Sequence, residues 1–292
     1  MKIFKFAISS AVVSSVLAAN TILNLGAASA ADMPVKAPPL PVVEVYNWTG
    51  CYVGVNGGWS GGRFRESVDS PAGVAVLPGI AATPFAADHL DLGRLNVDSG
   101  AAGGQIGCRW ETPSHWVFGA EGNFDWTDLH GTITARTPGT GLSVFIPGDY
   151  YGNSARWESS VRGIVGRSFD KWLIYATGGL AMINVRMDGN YIATVVNAIP
   201  FPASSGGSSN TLYGFTVGAG AAYAFARNWD VGAEYRYSQY NGDDFNLGSV
   251  AAICVVGACT NTTVTGHKDL STQEVLLKLN YRFSPGAVVA KY

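Results

Sequence analysis

From Trp48 onward, apolar residues alternate with small or polar ones over stretches of about ten residues, separated by segments rich in Gly, Pro, Ser, Asn and Asp. A period of two marks a β-strand with two unlike faces. Eight such strands can be read. The first runs from Trp48 to Trp59, with Cys51, Val53, Val55, Gly57 and Trp59 on one face. The second, about Asp98 to Trp110, sets Ala102, Gly104, Ile106, Cys108 and Trp110 against Gln105 and Arg109. In the third, Trp116, Phe118, Ala120, Gly122, Phe124 and Trp126 alternate with Val117, Gly119, Glu121, Asn123 and Asp125. The fourth opposes Trp157, Val161, Val165 and Phe169 to Arg156, Glu158 and Arg162. The fifth, Trp172 to Ile183, is apolar on both faces, so its orientation stays open. The sixth sets Phe215, Val217, Ala219, Ala221, Tyr223 and Phe225 against Thr216, Gly218, Gly220 and Ala222. The seventh sets Trp229, Val231, Ala233, Tyr235 and Tyr237 against Gly232, Glu234 and Arg236. The eighth sets Val275, Leu277, Leu279, Tyr281 and Phe283 against Glu274, Lys278, Asn280 and Arg282.

The connections alternate too. Those after strands two, four and six are short, around Pro113, Asp170 and Asn228, whereas those after strands one, three, five and seven run to about twenty residues or more. Tight turns on one rim and long loops on the other are the hairpin pattern of a transmembrane barrel, whose outer face is apolar, bounded by aromatic girdles, and whose interior is polar. Closure leaves no unpaired backbone edge in hydrocarbon. The expected fold is all-β, an eight-stranded antiparallel up-and-down transmembrane β-barrel.

The N-terminus bears on the compartment. Lys2 and Lys5 precede an apolar run from Phe6 to Leu25, and Ala28, Ser29 and Ala30 supply an A-x-A cleavage site, so residues 1–30 read as a secretory signal peptide, with Ala31 the alternative cleavage position. No cysteine follows closely enough to accept a lipid. Residues 31–45 read as a Pro-rich N-terminal segment, 46–283 as the barrel and 284–292 as a short C-terminal tail. Past the signal, no stretch approaches the ~20 apolar residues a membrane helix needs.

Composition sharpens this. Only 14% of residues are charged, 12% are aromatic and 37 of 292 are Gly; a water-facing domain carries about 25% charged residues. With the signal removed the chain holds 17 basic and 21 acidic residues, net −4. That excludes the basic footprint a nucleic-acid partner requires.

Ala31-Asp32 with its Pro-rich sequel, and Tyr46-Asn47-Trp48-Thr49-Gly50-Cys51-Tyr52-Val53-Gly54, resemble the RopB-like outer-membrane immunogenic proteins, the small porin family of Rhizobiales. So do Trp116-Val117-Phe118-Gly119-Ala120-Glu121-Gly122, Tyr175-Ala176-Thr177-Gly178-Gly179-Leu180-Ala181 and Leu279-Asn280-Tyr281-Arg282-Phe283. The resemblance covers the mature chain and implies an OmpA-like barrel in a bacterial outer membrane with periplasmic termini. It also implies that the barrel-assembly machinery reads a last strand ending in alternating aromatics, here Tyr281 and Phe283. The chain departs from the family at Cys51 and Cys108, where an aromatic is common, and in the nine residues after Phe283.

On this assignment Arg109, Glu121, Arg156, Glu158, Arg162, Glu234, Arg236, Lys278 and Arg282 point inward. An eight-stranded lumen is narrow enough for side chains to fill, and buried charges must be paired. A paired, space-filling network is therefore expected, with a narrow pore whose basic excess favours anions as the alternative. Catalytic motifs fail on context. Gly58-Trp59-Ser60-Gly61-Gly62 fits G-x-S-x-G but lacks the strand-to-helix elbow. His89, His115, His130 and His267 form no H-E-x-x-H pair, and Gly218-Ala219-Gly220 meets Tyr223 where a dinucleotide fingerprint needs its last glycine. Asn47 and Asn261 open glycosylation patterns that matter only in a eukaryotic pathway. The His-x-Ser pair of lipid A deacylase barrels is absent, His130 being followed by Thr132. The expectation is therefore no catalysis, no cofactor and no metal, but an envelope protein in contact with outer-membrane lipid and lipopolysaccharide, its loops open to host or phage. Contact with peptidoglycan is left open.

Four cysteines in an exported chain suggest two disulfides. Cys51 and Cys108 sit near the periplasmic ends of neighbouring antiparallel strands on the outer face, where opposed Cβ atoms come within about 4.5 to 5.5 Å. Cys254 and Cys259 share one external loop and would close a small ring.

Overall fold

The structure, a computed structural model, describes residues 46–70, 73–75, 83–85, 88–135, 147–192, 194–196, 199–201, 203–255 and 258–283. The expected signal peptide, the Pro-rich segment before Tyr46 and the tail after Phe283 lie outside them. Eight strands form the wall: β1 (Gly50–Ser70), β2 (Asp88–Glu111), β3 (Trp116–Thr134), β4 (Tyr150–Phe169), β5 (Trp172–Tyr191), β6 (Ser204–Ala226), β7 (Trp229–Val255) and β8 (Ala258–Phe283). Each pairs antiparallel with its chain neighbours, and β1 closes the ring against β8. Two small hairpins, Gly73–Ala75 with Thr83–Phe85 and Thr194–Val196 with Ile199–Phe201, lie in the β1–β2 and β5–β6 connections.

The alternation explains the wall. Residues of one parity face out as a band of exposed Val, Ile, Leu and aromatic side chains: Val53 and Val55 on β1, Ile106 on β2, Val161 and Val165 on β4, Leu277 and Leu279 on β8. Aromatics bound the band on both sides. Trp59, Trp126, Tyr213 and Tyr235 lie at its upper edge, and Trp110, Trp116, Phe169, Trp172, Phe225, Trp229 and Phe283 at its lower edge. Between these belts each strand spends about nine to thirteen residues, the length that crosses an outer-membrane hydrocarbon layer of ~25 Å when tilted. The lower rim turns tightly: His115 (φ 64°) and Asp170 (φ 53°) adopt the left-handed conformation there. The fifth strand, ambiguous in the sequence, turns Leu173, Tyr175, Thr177, Ala181 and Ile183 inward.

Two expectations are corrected. The strands do not stop at about ten residues; they run from 19 to 27. In particular, the long loop expected after the seventh strand is itself strand, since β7 and β8 stay paired to Val255 and Ala258 and only residues 256–257 connect them. Gly and Asn in this stretch suggested a loop, but β7 absorbs them in register shifts at Tyr240/Asp243, Asn246/Ser249 and Ala251/Ile253. The second correction is Arg156, which faces outward and is exposed. The β4–β5 register shifts between Ala155 and Trp157, and a bulge of one residue reverses parity. Ala155 therefore points in, Arg156 and Trp157 both point away from the interior, and Glu158 points in again.

Above the upper belt the ring divides. Pairing of β2 with β3 stops at Ala101 and Thr127, and that of β6 with β7 stops at Gly214 and Tyr240. The other six ladders continue, to Asp69 and Thr265 in β1–β8 and to Ser204 and Tyr191 in β5–β6, for example. Two four-stranded sheets result, β7–β8–β1–β2 and β3–β4–β5–β6. Their inner faces pack on one another as a β-sandwich does. Phe64, Val68, Leu90, Val97, Tyr240, Phe245, Leu247, Val264 and Leu270 come from the first sheet; Leu129, Tyr151, Ile183, Val185, Met187, Tyr191 and Leu212 come from the second. The faces interlock closely. A Cβ on Gly266 would stand 2.8 Å from Met187 Sδ, and one on Gly206 would stand 2.5 Å from the Leu247 carbonyl oxygen. Glycine at these positions lets β8 admit Met187 and lets β6 pass close to β7 without pairing.

Candidate functional site

Between the belts the interior is ionic, built in layers because inward residues recur every second position on tilted strands. Lowest lies Arg109, whose guanidinium is 3.5 Å from Asp230 and stacks 4.1 Å from the Tyr52 ring centre and 5.6 Å from that of Trp48. Above it, Glu121 and Glu234 face Arg162 at 2.5 Å each and Lys278 at 2.6 and 3.0 Å. The Tyr52 hydroxyl donates to Glu121 (2.6 Å) and that of Tyr175 to Glu234 (3.0 Å). Highest, Arg236 Nη1 lies 2.9 Å from Asp125, 3.0 Å from Glu274 and 3.5 Å from Glu158, while its Nη2 lies 3.4 Å from Glu234. All of these side chains are buried.

A plug lies below. Trp48 precedes β1 rather than starting it and is wholly buried, its backbone N–H donating to the Glu111 carboxylate (2.7 Å), while the Glu111 backbone N–H donates to Thr49 Oγ1 (3.0 Å). Tyr46 packs edge-on against Trp48, and Arg282 lies 4.3 Å from the centre of the Tyr46 ring. Arg282 donates to the carbonyls of Asn47 and Arg227, so it fastens this segment, and among the described residues it forms no ion pair with a carboxylate. Val117, Ile164, Leu173 and Tyr175 complete the apolar packing around Trp48. Above the ionic layers stands the sandwich core. Within it Lys268 lies 3.5 Å from Glu66, donates to Asn153 and lies 4.5 Å from the centre of the Phe64 ring. Burial pulls the Lys268 ammonium down to about 8, with Glu66 opposing that fall.

Of the charged residues singled out from the sequence, Arg109, Glu121, Glu158, Arg162, Glu234, Arg236 and Lys278 meet in the layers, Arg282 fastens the plug and Arg156 is outside. The list omitted Asp125, Asp230 and Glu274, although each shares the parity of a neighbour it contained. With them and Glu111, the layers and plug hold, among the described residues, five cations (Arg109, Arg162, Arg236, Lys278, Arg282) and seven carboxylates (Glu111, Glu121, Asp125, Glu158, Asp230, Glu234, Glu274). The expected basic excess is therefore not present in the interior.

Cys51 and Cys108 are opposed in register with Cα atoms 3.9 Å apart and joined by a disulfide on the outer face. Cys254 and Cys259 are opposed in the β7–β8 register; their side chains lie outside the described residues. Tyr281 and Phe283 face outward in edge contact with one another, Tyr281 also against Trp229. His89, His130 and His267 are exposed on the upper sheets, each beside an aspartate, and His115 sits on the lower rim near Glu111. No two of these histidines meet among the described residues, and Ser60 of the G-x-S-x-G match points into the barrel.

A closed ring with an apolar aromatic-bounded exterior and a polar interior defines the outer-membrane β-barrel class. The chain belongs to the outer membrane protein beta-barrel domain family, which it matches over residues 21–283, and it is an outer-membrane protein. It is 29% identical over 279 residues to the 31 kDa outer-membrane immunogenic protein of Brucella melitensis, covering 92% of this chain and 99% of that one. It is 24% identical over 260 residues to the 25 kDa outer-membrane immunogenic protein of Brucella canis, covering 88% and 91%. These relatives agree with the resemblance seen in the sequence. The crystal structure of the outer membrane protein OprG from Pseudomonas aeruginosa aligns over 82% of this chain and 99% of its own, with 12% identity and a TM-score of 0.42.

Proposed function

We propose that this protein is a non-catalytic, non-conducting envelope barrel that braces the outer membrane and carries a rigid two-sheet cap on the cell surface. One observation carries the reading: the interior is filled along its described length, by the Trp48 plug, the ion-paired layers and the apolar sandwich core in succession. A water-filled pore needs a continuous polar path, and an apolar constriction as long as this core opposes wetting. Outer-membrane lipid and lipopolysaccharide surround the wall in this reading, and the barrel-assembly machinery inserts it through Tyr281 and Phe283. The immunogenic naming of the Brucella relatives supports exposure of the cap.

Single-channel recording of the native protein in planar bilayers tests the reading. The expected result is no discrete opening. Steady openings that keep one conductance across preparations would replace the reading with a narrow porin. Removing the plug by Trp48→Ala is expected to leave the barrel silent, because the sandwich core still closes it.

A further inference from the structure

On the outer face, the β8–β1–β2 register sets residues in rows that cross the upper belt. Highest stand Asp269, Arg65 and Arg94, then Ser271, Arg63 and Asn96, then Gln273, Gly61 and Asp98. Val275, Trp59 and Gly100 follow at the belt, and Leu277, Gly57 and Ala102 lie within the lipid band. The three arginines are exposed. Arg63 donates through Nε to Asn96 (3.2 Å). Arg65 and Arg94 are directly opposed, and among the described residues neither makes an ion pair or a side-chain hydrogen bond. Asp269 lies 4.0 Å from His267 and makes no ion pair with an arginine.

Opposed like charges on a sheet are unfavourable, their Cβ atoms standing about 4.5 to 5.5 Å apart, and a diagonal pair such as Arg63 and Arg94 stands at about 7 to 8 Å. An anion held between these guanidinium groups turns the repulsion into attraction, and the planar guanidinium suits phosphate best. The other outward arginines of the upper strands lack this arrangement: Arg186 on β5 is held by Asp188 (2.8 Å), and Arg156 stands in the β4 bulge with no arginine opposed. Height selects the anion's carrier. Arg63 lies four residues above Trp59, about 13 Å along a strand and about 10 Å in height when the strand is tilted. A phospholipid headgroup layer adds only about 5 to 8 Å beyond the hydrocarbon on each side. The arginines therefore stand above that layer, at the level of a thicker, sugar-built head. Between them and the belt lies the polar row of Gln273 and Asp98, which suits sugar hydroxyls. Below it, the Trp59 indole lies up the strand across Gly61, where a Cβ would stand 2.6 Å from its Cη2. Gly57, Gly100 and Ala102 then leave a shallow floor between Leu277 and Trp126, open to an acyl chain.

We propose that Arg63, Arg65 and Arg94 form a specific site for one lipopolysaccharide molecule, gripping a phosphate of its sugar head while an acyl chain runs down the outer wall past Trp59. The order of the rows, cationic, then polar, then aromatic, then small and apolar, is the order of chemistry along that amphiphile. The proposal rests on the reading that the cap stands on the cell surface, and it replaces a general lipid surround with one fixed contact on β1 and β2. Protease access to the cap on whole cells tests that underlying reading separately.

The full-length protein in detergent micelles, titrated calorimetrically with rough lipopolysaccharide, tests the proposal. We expect saturable one-to-one binding that weakens with salt. Arg65→Gln with Arg94→Gln should weaken it about tenfold or more, two charge-assisted hydrogen bonds being lost. In lipid-free micelles the same variant should keep the unboiled gel shift and match or exceed the wild-type urea midpoint, because it removes an opposed like-charge pair. Arg156→Gln with Arg186→Gln removes as much charge from the other side of the barrel and should leave binding within about twofold. The same lipopolysaccharide stripped of phosphate should bind about tenfold more weakly or worse, and inorganic phosphate alone should not compete at equal concentration. Absence of saturable binding would overturn the proposal. Equal weakening by the two glutamine pairs, or equal binding of phosphatidylglycerol, would overturn it in favour of unspecific attraction to anionic lipid.

Discussion

Strand β1 shows, within one element, how the barrel and the cap differ. Below the belt its outward residues are Val53, Val55 and Trp59 and its inward ones Tyr52, Asn56 and Ser60; above it the outward residues are Arg63, Arg65 and Asp69 and the inward ones Phe64 and Val68, with Glu66 between them paired to Lys268. Parity never changes, but the chemistry assigned to each face exchanges. In hydrocarbon the favourable outward group is apolar and the interior can hold paired ions; in water the outward group is charged and apolar side chains gather inside. The backbone answers the same change. Hydrocarbon tolerates no free strand edge, so the ring is closed there, while water satisfies free edges, so the ring can part into two sheets once past the belt.

The largest effect is expected where the barrel interior is broken. Arg162→Met strands Glu121 and Glu234 with fewer partners, and removing one member of a buried ionic group costs about 3–5 kcal/mol. The urea midpoint of the heat-modifiable band measures it; a loss below about 1 kcal/mol would mean the ions do not organise the barrel. Phe245→Ala attacks the cap instead, at about 3 kcal/mol for a large core truncation. If the two halves are held by different forces, this variant should keep the unboiled gel shift of the closed barrel yet admit protease to the upper sheets. Loss of the gel shift itself would make them one cooperative unit. The outer faces can be compared next. Leu277→Arg places a charge in the lipid band and should cost about 2 kcal/mol or more, whereas Ser271→Arg, six residues up the same face of β8, should stay within about 0.5 kcal/mol. Equal costs would move the upper boundary of the membrane.

The smallest effect concerns Lys268. Its folded value of about 8 lies below the ordinary lysine value, so between about pH 8 and 10 the unfolded chain holds more protons and stability rises with pH. The slope cannot exceed about 1.4 kcal/mol per pH unit. Subtracting the pH profile of a Lys268→Met, Glu66→Gln variant from that of the wild type isolates the contribution; a flat or falling difference would contradict the burial of the ammonium.

The eight strands, the closed order, the outward faces and the Cys51–Cys108 opposition were legible in the sequence because each depends on a two-residue period and on hairpin neighbours. The cap was not. Hydrophobicity identifies a strand by its unlike faces, and where the unlike faces exchange, as between Trp59 and Phe64, the pattern momentarily loses contrast and reads as the start of a loop. Arg156 was misplaced for a related reason, since no local signal announces that Ala155 and Glu158 share a face. The ionic layers were half legible. Asp125, Asp230 and Glu274 have the right parity, but only the register of distant strands reveals that Arg236, on β7, gathers carboxylates from β3, β4 and β8.

A closed ring of strands obeys a counting rule in which strand number, stagger and diameter determine one another. No strand within it can be lengthened or slipped without adjustment all the way round. The two lines along which β2 leaves β3 and β6 leaves β7 lift that rule from everything beyond them. A change of length in one upper sheet is then a matter for four strands rather than eight, and the membrane-crossing cylinder need not register it. If the cap faces the cell's surroundings as proposed, that part of the chain is free to drift in sequence and size at a rate the cylinder beneath it could not survive.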